Sequence, residues 1–221
     1  MFDNIAHRYD FLNHFLSAGI DIQWRKKVSK LLAPQQPKKI LDVATGTGDL
    51  AIELLRLKPE SIIGIDISEG MLDIGKKKII QKKLDKIITL EVGDSEDLRF
   101  KDNTFDAVTV AFGVRNFENL QAGLREMIRV MKPGGTVAIL EFSKPKKFPF
   151  KHIYQFYFKY ILPGFGKVVS KDNEAYTYLP ESVQQFAEDA AFLKEMDNAG
   201  YKNNSQQRLT FGIATLYSGT K

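Results

Sequence analysis

The stretch Asp42-Val43-Ala44-Thr45-Gly46-Thr47-Gly48-Asp49-Leu50-Ala51 decides how the rest of the chain folds. It overlaps the end of an apolar run, Ile40 to Ala44, and continuous apolar runs are typical of strands buried on both faces of a parallel sheet. The two glycines then permit a sharp turn and the close approach of a ligand to the backbone. The sequence therefore predicts a strand, a glycine-rich turn and a helix at this point.

Further apolar runs repeat this pattern along the chain. They cover Ile62 to Ile65, Ile87 to Val92, Phe105 to Phe112 and Thr136 to Phe142. Three helices are predicted: one from Ile22 to Leu32, one that follows Ser68 and could be capped by it, and one from Leu120 to Met131. A tight turn is predicted at Pro133-Gly134-Gly135. Five strands that alternate with helices predict a doubly wound parallel α/β sheet. A helix near Phe186 to Ala199 and two late strand-like runs, the last from Leu209 to Tyr217, complete the chain.

The composition excludes several classes of protein. The 221 residues include no Cys, so disulfides, zinc-thiolate sites, iron–sulfur clusters and a cysteine nucleophile are absent. The three His residues show no metal-ligand spacing, so no metal site is expected. The first residues lack the features of a signal peptide and no apolar run is long enough to span a bilayer, so we expect a cytoplasmic protein.

The glycine-rich turn is compatible with two ligands. Gly46-x-Gly48-x-x-Ala51 fits the dinucleotide fingerprint, which would make the protein an NAD(P)-linked oxidoreductase. Class I methyltransferases that use S-adenosylmethionine resemble the same pattern, with an acidic residue on the first strand. Asp42 and Asp49 would repel a pyrophosphate and attract the sulfonium and ammonium groups of S-adenosylmethionine. The charges therefore favour the methyl donor.

Two later acidic positions fit the same ligand. Asp66 ends the second strand, where a carboxylate can accept hydrogen bonds from ribose hydroxyls in either cofactor class. Asp94-Ser95 follows the third strand, and this position pairs with adenine in the methyltransferase fold. Each could instead be an ordinary turn or cap residue.

Several longer strings resemble the menaquinone/ubiquinone-biosynthesis C-methyltransferases, over essentially the whole chain. They include Phe2-Asp3-x-Ile5-Ala6, Trp24-Arg25, the glycine loop, Ala111-Phe112-Gly113-Val114-Arg115-Asn116-Phe117, Leu140-Glu141-Phe142-Ser143-x-Pro145, Ala175-Tyr176-x-Tyr178-Leu179-Pro180-Glu181-Ser182 and Leu209-Thr210-x-Gly212-Ile213. The glycine loop is generic to methyltransferases, whereas FGVRNF, LEFSKP and AYTYLPES are far more specific. Members of the family usually carry further residues before the first string and often have Ser where Ala111 stands.

The resemblance implies the class I methyltransferase fold, with a seven-stranded, mostly parallel sheet and an antiparallel last strand. It implies one domain over residues 1–221, with a helical lid at 1–33 and an aromatic and basic substrate-side segment at 144–182. It also implies transfer of a methyl group from S-adenosylmethionine to a ring carbon of a prenylated quinol, most simply demethylmenaquinol, with the benzoquinol of the ubiquinone pathway as a second acceptor. The donor-binding residues would be Asp42, Gly46, Thr47, Gly48, Asp66, Asp94, Ser95 and Ala111.

The acceptor side is less sharply defined. Arg115 could hold positive charge beside a developing phenolate, or it could form an ordinary salt bridge. Asn116 could orient a ring oxygen, and the substrate-side tyrosines are Tyr154, Tyr176 and Tyr178. The general base stays open among Asp94 acting through water, Tyr176 and His152.

The segment from Phe142 to Lys171 combines seven Lys, nine aromatic residues and no acidic residue, in a chain whose net charge is +5. A basic and aromatic surface suits contact with the inner leaflet of a membrane, from which a lipid-tailed substrate emerges headfirst. The alternative is that the aromatic residues cover a sheet edge while the lysines face water. A second basic cluster, from Lys76 to Lys86, is interpreted as a solvated helix face.

The expected partners are therefore a prenylated quinol and a membrane surface; the oligomeric state stays open, with a homodimer as the candidate assembly. Nucleic acid is not expected, because the Cys of RNA cytosine methyltransferases and the Pro-Pro-aromatic motif of amine methyltransferases are absent. Three other functions remain open: a methyltransferase for another small molecule or RNA, an oxidoreductase, and a non-catalytic peripheral membrane protein with the same fold.

Overall fold

The computed structural model describes residues 19–156 and 182–221. Its strands are β1 (Lys39–Val43), β2 (Ser61–Asp66), β3 (Ile88–Val92), β4 (Phe105–Ala111), β5 (Met131–Phe142), β6 (Lys202–Leu209) and β7 (Ala214–Thr220). They form one sheet in the order β3-β2-β1-β4-β5-β7-β6. Strands β1 to β5 pair in parallel, and β7 is antiparallel to both of its neighbours. The predicted doubly wound sheet with an antiparallel last strand is confirmed.

Helices cover both faces of this sheet. They are α1 (Asp21–Leu32), α2 (Asp49–Leu54), α3 (Glu69–Gln81), α4 (Leu120–Val130), α5 (Phe150–Phe156) and α6 (Ala190–Ala199). Helices α1, α2 and α3 contribute to one buried apolar cluster, and α4 and α6 contribute to the other. Alternate residues of a strand point to opposite faces, so Ile40 joins the first cluster and Leu41 the second. Among the described residues, no helix is long and apolar enough to cross a membrane.

Helix α1 is held to the sheet by Trp24. The Trp24 ring lies 6.0 Å from that of Phe112 and 6.1 Å from that of Phe142, and its Nε1 donates a 2.7 Å hydrogen bond to the hydroxyl of Thr210. One side chain thus joins α1 to the ends of β4 and β5 and to the turn between β6 and β7. The helix ends where the short 3-10 turn containing Pro34 begins.

Two predicted boundaries differ from the structure in the last third of the chain. The run from Leu209 to Tyr217 is not one strand, because Leu209 ends β6, Thr210–Gly212 forms a 3-10 turn and β7 begins only at Ala214. The helix predicted from Phe186 begins at Ala190. Asp189, just before it, has a φ of +58° and accepts hydrogen bonds from Arg208 and Lys146. This tertiary contact holds Asp189 in a non-helical conformation, so the helix begins at the next residue.

The Pro133-Gly134-Gly135 turn is also not a boundary. Strand β5 begins at Met131, and these residues form an irregularity within it where the pairing with β4 shifts register. Gly134 has a φ of +76°, a conformation that glycine adopts without steric cost. The other predicted strands agree with the structure to within a residue or two.

We expect Trp24→Ala to lower the free energy of unfolding by about 3 to 5 kcal/mol, the range for truncating a buried aromatic side chain. Trp24 is 2% exposed, whereas Ile22 on the same helix is 45% exposed. Ile22→Ala is therefore the matched control, with an expected change within about 0.5 kcal/mol. Urea unfolding of both variants checks this, and equal losses would contradict the role given to Trp24.

Candidate active site

A cavity of about 280 Å³ lies at the carboxyl ends of β1 to β4. In the strand order, the direction of winding reverses between β1 and β4, and ligands of open α/β sheets bind at such a point. Its walls come from the glycine loop, the residues after β2, β3 and β4, and one side chain of α1. They are Arg25, Asp42, Ala44, Thr45, Gly46, Thr47, Asp49, Leu50, Asp66, Ile67, Met71, Gly93, Asp94, Ser95, Glu96, Ala111, Phe112, Gly113, Asn116, Phe117 and Glu118.

Asp42 lies at the floor of this cavity and is 1% exposed. Its two carboxylate oxygens each accept a 2.6 Å hydrogen bond, one from the Thr45 hydroxyl in the loop and one from the Thr109 hydroxyl on β4. Burial raises the pKa of Asp42 from its ordinary 3.8 to about 6, although both hydroxyls and the nearby Arg25 favour the charged form. Asp42 therefore ties the glycine loop to the central strands and makes the floor acidic.

Asp66 holds the other side of the loop. One carboxylate oxygen accepts a 2.8 Å hydrogen bond from the backbone N–H of Gly46, and the other accepts a 2.9 Å bond from that of Ser68. The Ser68 hydroxyl in turn caps α3 by accepting a hydrogen bond from the backbone N–H of Met71, as predicted. Asp66 is thus fixed between the loop and the start of α3, with its side chain in the cavity wall.

The turns around the cavity depend on glycines. Gly46 and Gly48 have φ values of +57° and +81°, which place them in the left-handed region. At Gly113 the reason is space, since a Cβ there would clash with the Cβ of Ala44 in the glycine loop. The end of β4 can therefore approach the loop closely.

Asp94 and Ser95 form the wall beyond β3. The Asp94 carboxylate accepts a 2.8 Å hydrogen bond from the backbone N–H of Glu96, and an isolated bridge to Asp97 closes the turn. Ala111, at the end of β4, lies on the other side. All eight predicted donor-binding residues except Gly48 line the cavity, and Gly48 lies within the loop that forms it.

Arg115 lies beside the cavity and is not one of its lining residues. Its Nη1 donates to the carbonyl oxygen of Phe112 and, at 2.8 Å, to the carboxylate of Glu141. The two side chains of this ion pair are 4% and 0% exposed. Burial raises the pKa of Glu141, while Arg115 and backbone N–H groups favour its charged form.

The Arg115–Glu141 pair is where the specific strings of the sequence meet. Arg115 belongs to FGVRNF, Glu141 to LEFSKP, and Ser182 of AYTYLPES accepts a 3.3 Å hydrogen bond from Arg115 Nε. The Arg115 guanidinium also lies 5.5 Å from the centre of the Phe142 ring. Segments 67 residues apart in the chain are thereby held together next to the cavity.

The other predicted acceptor-side residues separate into three groups. Asn116 lines the cavity. Tyr154 is partly buried near Arg115 and Glu188, and burial raises its pKa above the ordinary value. His152 is exposed on α5 and is not a lining residue, and Tyr176 and Tyr178 lie outside the described residues.

Arg25, Phe117 and Glu118 line the cavity without having been assigned to it from the sequence. Arg25 and Phe117 stand in strings that resemble the family, which is the signal that could have assigned them, whereas Glu118 stands in none of these strings. Lys78 also departs from the prediction of a solvated face, because its Nζ lies 2.6 Å from Asp49 at the glycine loop. No group of metal-ligating side chains occurs within residues 19–156 and 182–221.

The cavity fits S-adenosylmethionine better than a dinucleotide. Carboxylates of Asp42, Asp66 and Asp94 face it, which favours a ligand that carries positive charge and opposes a pyrophosphate. A model of the ubiE/COQ5 methyltransferase family matches residues 1–221. The chain belongs to this family. It is a methyltransferase, and S-adenosylmethionine is its methyl donor.

Individual relatives are similar over the full length. A demethylmenaquinone methyltransferase of Bacteroides fragilis is 49% identical over 100% of this chain and 91% of its own length. A ubiquinone/menaquinone biosynthesis C-methyltransferase of Geotalea daltonii is 48% identical over 100% of this chain and 94% of its own. A solved methyltransferase from Aquifex aeolicus shares the fold, with a TM-score of 0.60, 18% identity and coverage of 82% of this chain and 81% of its own.

We expect the raised pKa of Asp42 to make stability depend on pH. The unfolded chain loses this proton near pH 3.8 and the folded protein near pH 6, so the folded state binds more protons between these values. The contribution of Asp42 to stability is therefore full at low pH and falls as pH rises to about 6, by about 1.4 kcal/mol for each unit of pKa.

The Asp42→Asn variant lacks this titration and is the comparison for the measurement. Urea unfolding of both proteins at several values between pH 4 and pH 7 gives the difference in their free energies of unfolding. As pH rises, the free energy of unfolding of the protein with Asp42 should fall relative to that of the Asp42→Asn variant. A difference that stays constant over this interval would show that the Asp42 carboxyl titrates normally.

Proposed function

We propose that this protein transfers the methyl group of S-adenosylmethionine to a ring carbon of demethylmenaquinol and thereby forms menaquinol. The observation that carries the proposal is that Asn116 and Phe117 of the FGVRNF stretch line the same cavity as the glycine loop. The site expected for the donor and a family-specific acceptor motif therefore share one space. The two relatives that match over the full length of this chain, a demethylmenaquinone methyltransferase and a ubiquinone/menaquinone biosynthesis C-methyltransferase, support the same acceptor class.

In this proposal the donor lies along the carboxyl ends of the strands. Asp66 accepts hydrogen bonds from the ribose hydroxyls, and Asp94 with Ser95 holds the adenine beyond β3. The glycine loop, through Gly46, Thr47 and Gly48, and the carboxylate of Asp42 would hold the methionyl end. Ala111 packs against the donor at the end of β4. The fixed backbone bonds of Asp66 support its part, because they hold its carboxylate at one place in the wall.

When bound, S-adenosylmethionine supplies a methyl group on a positively charged sulfur, which a ring carbon can attack without help from a metal. The protein has to hold the acceptor ring in line at about 3 to 3.5 Å and to stabilise charge on the ring oxygen. Asn116 is placed to orient that oxygen, since it follows β4 and lines the cavity. Asp94, which also lines the cavity, is a base that could take the phenolic proton through water.

Arg115 is proposed to position the residues that contact the acceptor. Its guanidinium binds Glu141 and the carbonyl oxygen of Phe112, which fixes the turn that carries Asn116. Because this charge is paired with the buried carboxylate of Glu141, the proposed role of Arg115 is to position Asn116 rather than to act as a free cation beside a phenolate. Tyr154 lies near the pair, whereas Tyr176 and Tyr178, which the family resemblance assigns to the acceptor, lie outside the described residues.

The proposal is tested by transfer of labelled methyl from S-adenosylmethionine to a short-tailed demethylmenaquinol kept reduced, with the matching benzoquinol assayed in parallel. We expect methylation of the naphthoquinol, and the ratio of the two rates gives the ring preference. Asp66→Ala is the donor-site control, with donor affinity lowered by about 1.5 to 3 kcal/mol from a lost charged acceptor. Donor binding without methylation of either quinol would contradict the proposed acceptor.

We also propose that the protein is cytoplasmic and contacts the membrane surface through the segment that begins after β5. Phe148 and Phe156 are 81% and 57% exposed, and Lys147 and Lys151 are exposed beside them. The exposed Phe211 stacks on Phe150 with ring centres 3.7 Å apart, which extends the aromatic surface to the turn after β6. Exposed aromatic rings with lysines suit the interface of an anionic bilayer.

The lysines of this segment are not equivalent. Lys146 pairs with Asp189, and Lys144 donates to the carbonyl oxygen of Gln184, so both contribute to holding the segment against the protein. Lys147 and Lys151 are the better test. We expect Lys147→Gln with Lys151→Gln to weaken binding to vesicles containing phosphatidylserine by about 1 kcal/mol for each charge removed.

The matched control removes two exposed lysines of α3, Lys76 and Lys77, and leaves the net charge equal to that of the first variant. Cosedimentation with vesicles measures both proteins. A larger loss for the Lys147 and Lys151 pair supports docking through this face. Equal losses would show that only the overall charge of the protein matters. An unchanged affinity would contradict docking through this face, and its aromatic residues would then have a structural role only.

A further inference from the structure

The described wall of the cavity has an uneven distribution of charge. Its ionisable residues are Arg25, Asp42, Asp49, Asp66, Asp94, Glu96 and Glu118. Among the described lining residues, Arg25 is thus the one basic side chain in an otherwise acidic wall. The sulfonium and ammonium groups of the donor suit carboxylates, but its methionyl carboxylate does not. That negative group requires a donor of opposite charge or backbone N–H groups.

Arg25 reaches the cavity from α1 and is held in a fixed position. Its Nη2 lies 2.5 Å from a carboxylate oxygen of Asp21, one turn earlier in the helix, and 3.6 Å from Asp49 Oδ2. Only 10% of the Arg25 side chain is exposed. The helix that carries it packs against α2, β5 and β7, so the guanidinium enters the site from the side away from β3.

A second cation limits how strongly Asp49 holds Arg25. Lys78 Nζ lies 2.6 Å from Asp49 Oδ1 and donates a 3.1 Å hydrogen bond to the hydroxyl of Thr47. Asp49 therefore shares its charge between Lys78 and Arg25. The four side chains Asp21, Arg25, Asp49 and Lys78 carry two negative and two positive charges. A zwitterionic amino-acid group adds no net charge to this network when it binds.

The direction of the donor follows from the strand order. Asp66 ends β2 and Asp94 follows β3, which is the edge strand on that side of the sheet. With the ribose and adenine held by these two residues, the methionyl part would be left to the glycine loop and the residues toward β4. Arg25 lies at this opposite end, near enough to Asp42 to favour its charged form.

We propose that Arg25 binds the carboxylate of the methionyl part of S-adenosylmethionine, with Lys78 as a positioning residue that keeps Asp49 from neutralising it fully. The inference rests on the proposed donor site. A guanidinium matches a carboxylate with two parallel hydrogen bonds, and its planar fork is already held in place by Asp21. The two residues of the Trp24-Arg25 string thus have different roles. Trp24 packs α1 against the sheet, and this packing places Arg25 where it can bind the donor.

The experiment compares two ligands that differ only at the group in question. Calorimetric titration of the purified protein with S-adenosylmethionine and with its decarboxylated form gives two affinities without any acceptor present. We expect Arg25→Gln to weaken binding of S-adenosylmethionine at least tenfold and to change that of the decarboxylated form less than threefold. Arg56→Gln is the matched control, because Arg56 pairs with Glu53 and is 63% exposed, and both affinities should be unchanged.

Arg25→Lys keeps the charge and loses the fork, so it should retain part of the preference for the carboxylate and remains informative if Arg25→Gln fails to fold. Lys78→Met should also reduce that preference, by a smaller factor. If Arg25→Gln weakens the binding of both ligands equally, or weakens the binding of neither, the inference is overturned and Arg25 has a structural role. Failure of quinol methylation with these affinities intact would overturn the proposed acceptor alone.

Discussion

The site depends on one buried carboxylate in the middle of the sheet. Asp42 is almost fully buried, and its charge is stabilised by two hydroxyl groups, from Thr45 and Thr109, which belong to different parts of the chain. These bonds fix the glycine loop over the end of β1, and the loop then fixes Asp66 through Gly46. Because burial works against the charged form of Asp42, positive charge on a bound ligand is stabilising there. The same carboxylate therefore shapes the loop and favours a cationic methyl donor over a pyrophosphate.

A second buried interaction holds together the segments beside the cavity. The Arg115–Glu141 pair lies almost wholly out of water, and breaking such a pair by removing one partner is costly, since it leaves a buried charge alone. It joins the turn after β4, the end of β5 and Ser182 beyond the segment 157–181. The strings FGVRNF, LEFSKP and AYTYLPES thus each contribute a residue to this one contact. The turn that they hold carries Asn116, which lines the cavity together with the glycine loop.

Much of this arrangement could be predicted from the sequence because it is local. The strands show as apolar runs, the glycine loop as a turn that only glycine permits, and Asp66 and Asp94 as acidic residues at strand ends, where parallel strands bring them to one edge. The errors arose where a distant contact decides. The helix expected at Phe186 begins only at Ala190 because Asp189 is held by Arg208 and Lys146. Lys78 belongs to a run of lysines in the sequence, yet its ammonium group lies against Asp49 rather than in water.

The sequence by itself determined the fold class, the position of the cavity and the family, because periodicity, glycine placement and motif spacing are properties of neighbouring residues. Only the tertiary structure decided which charged side chains face that cavity. Arg25 and Arg115 both stand in strings that resemble the family, but Arg25 of α1 lines the cavity, whereas Arg115 pairs with Glu141 beside it. A side chain's charge can be read from the sequence. Its partner depends on which elements pack together, and this is settled by the burial of Trp24 and of the Arg115–Glu141 pair.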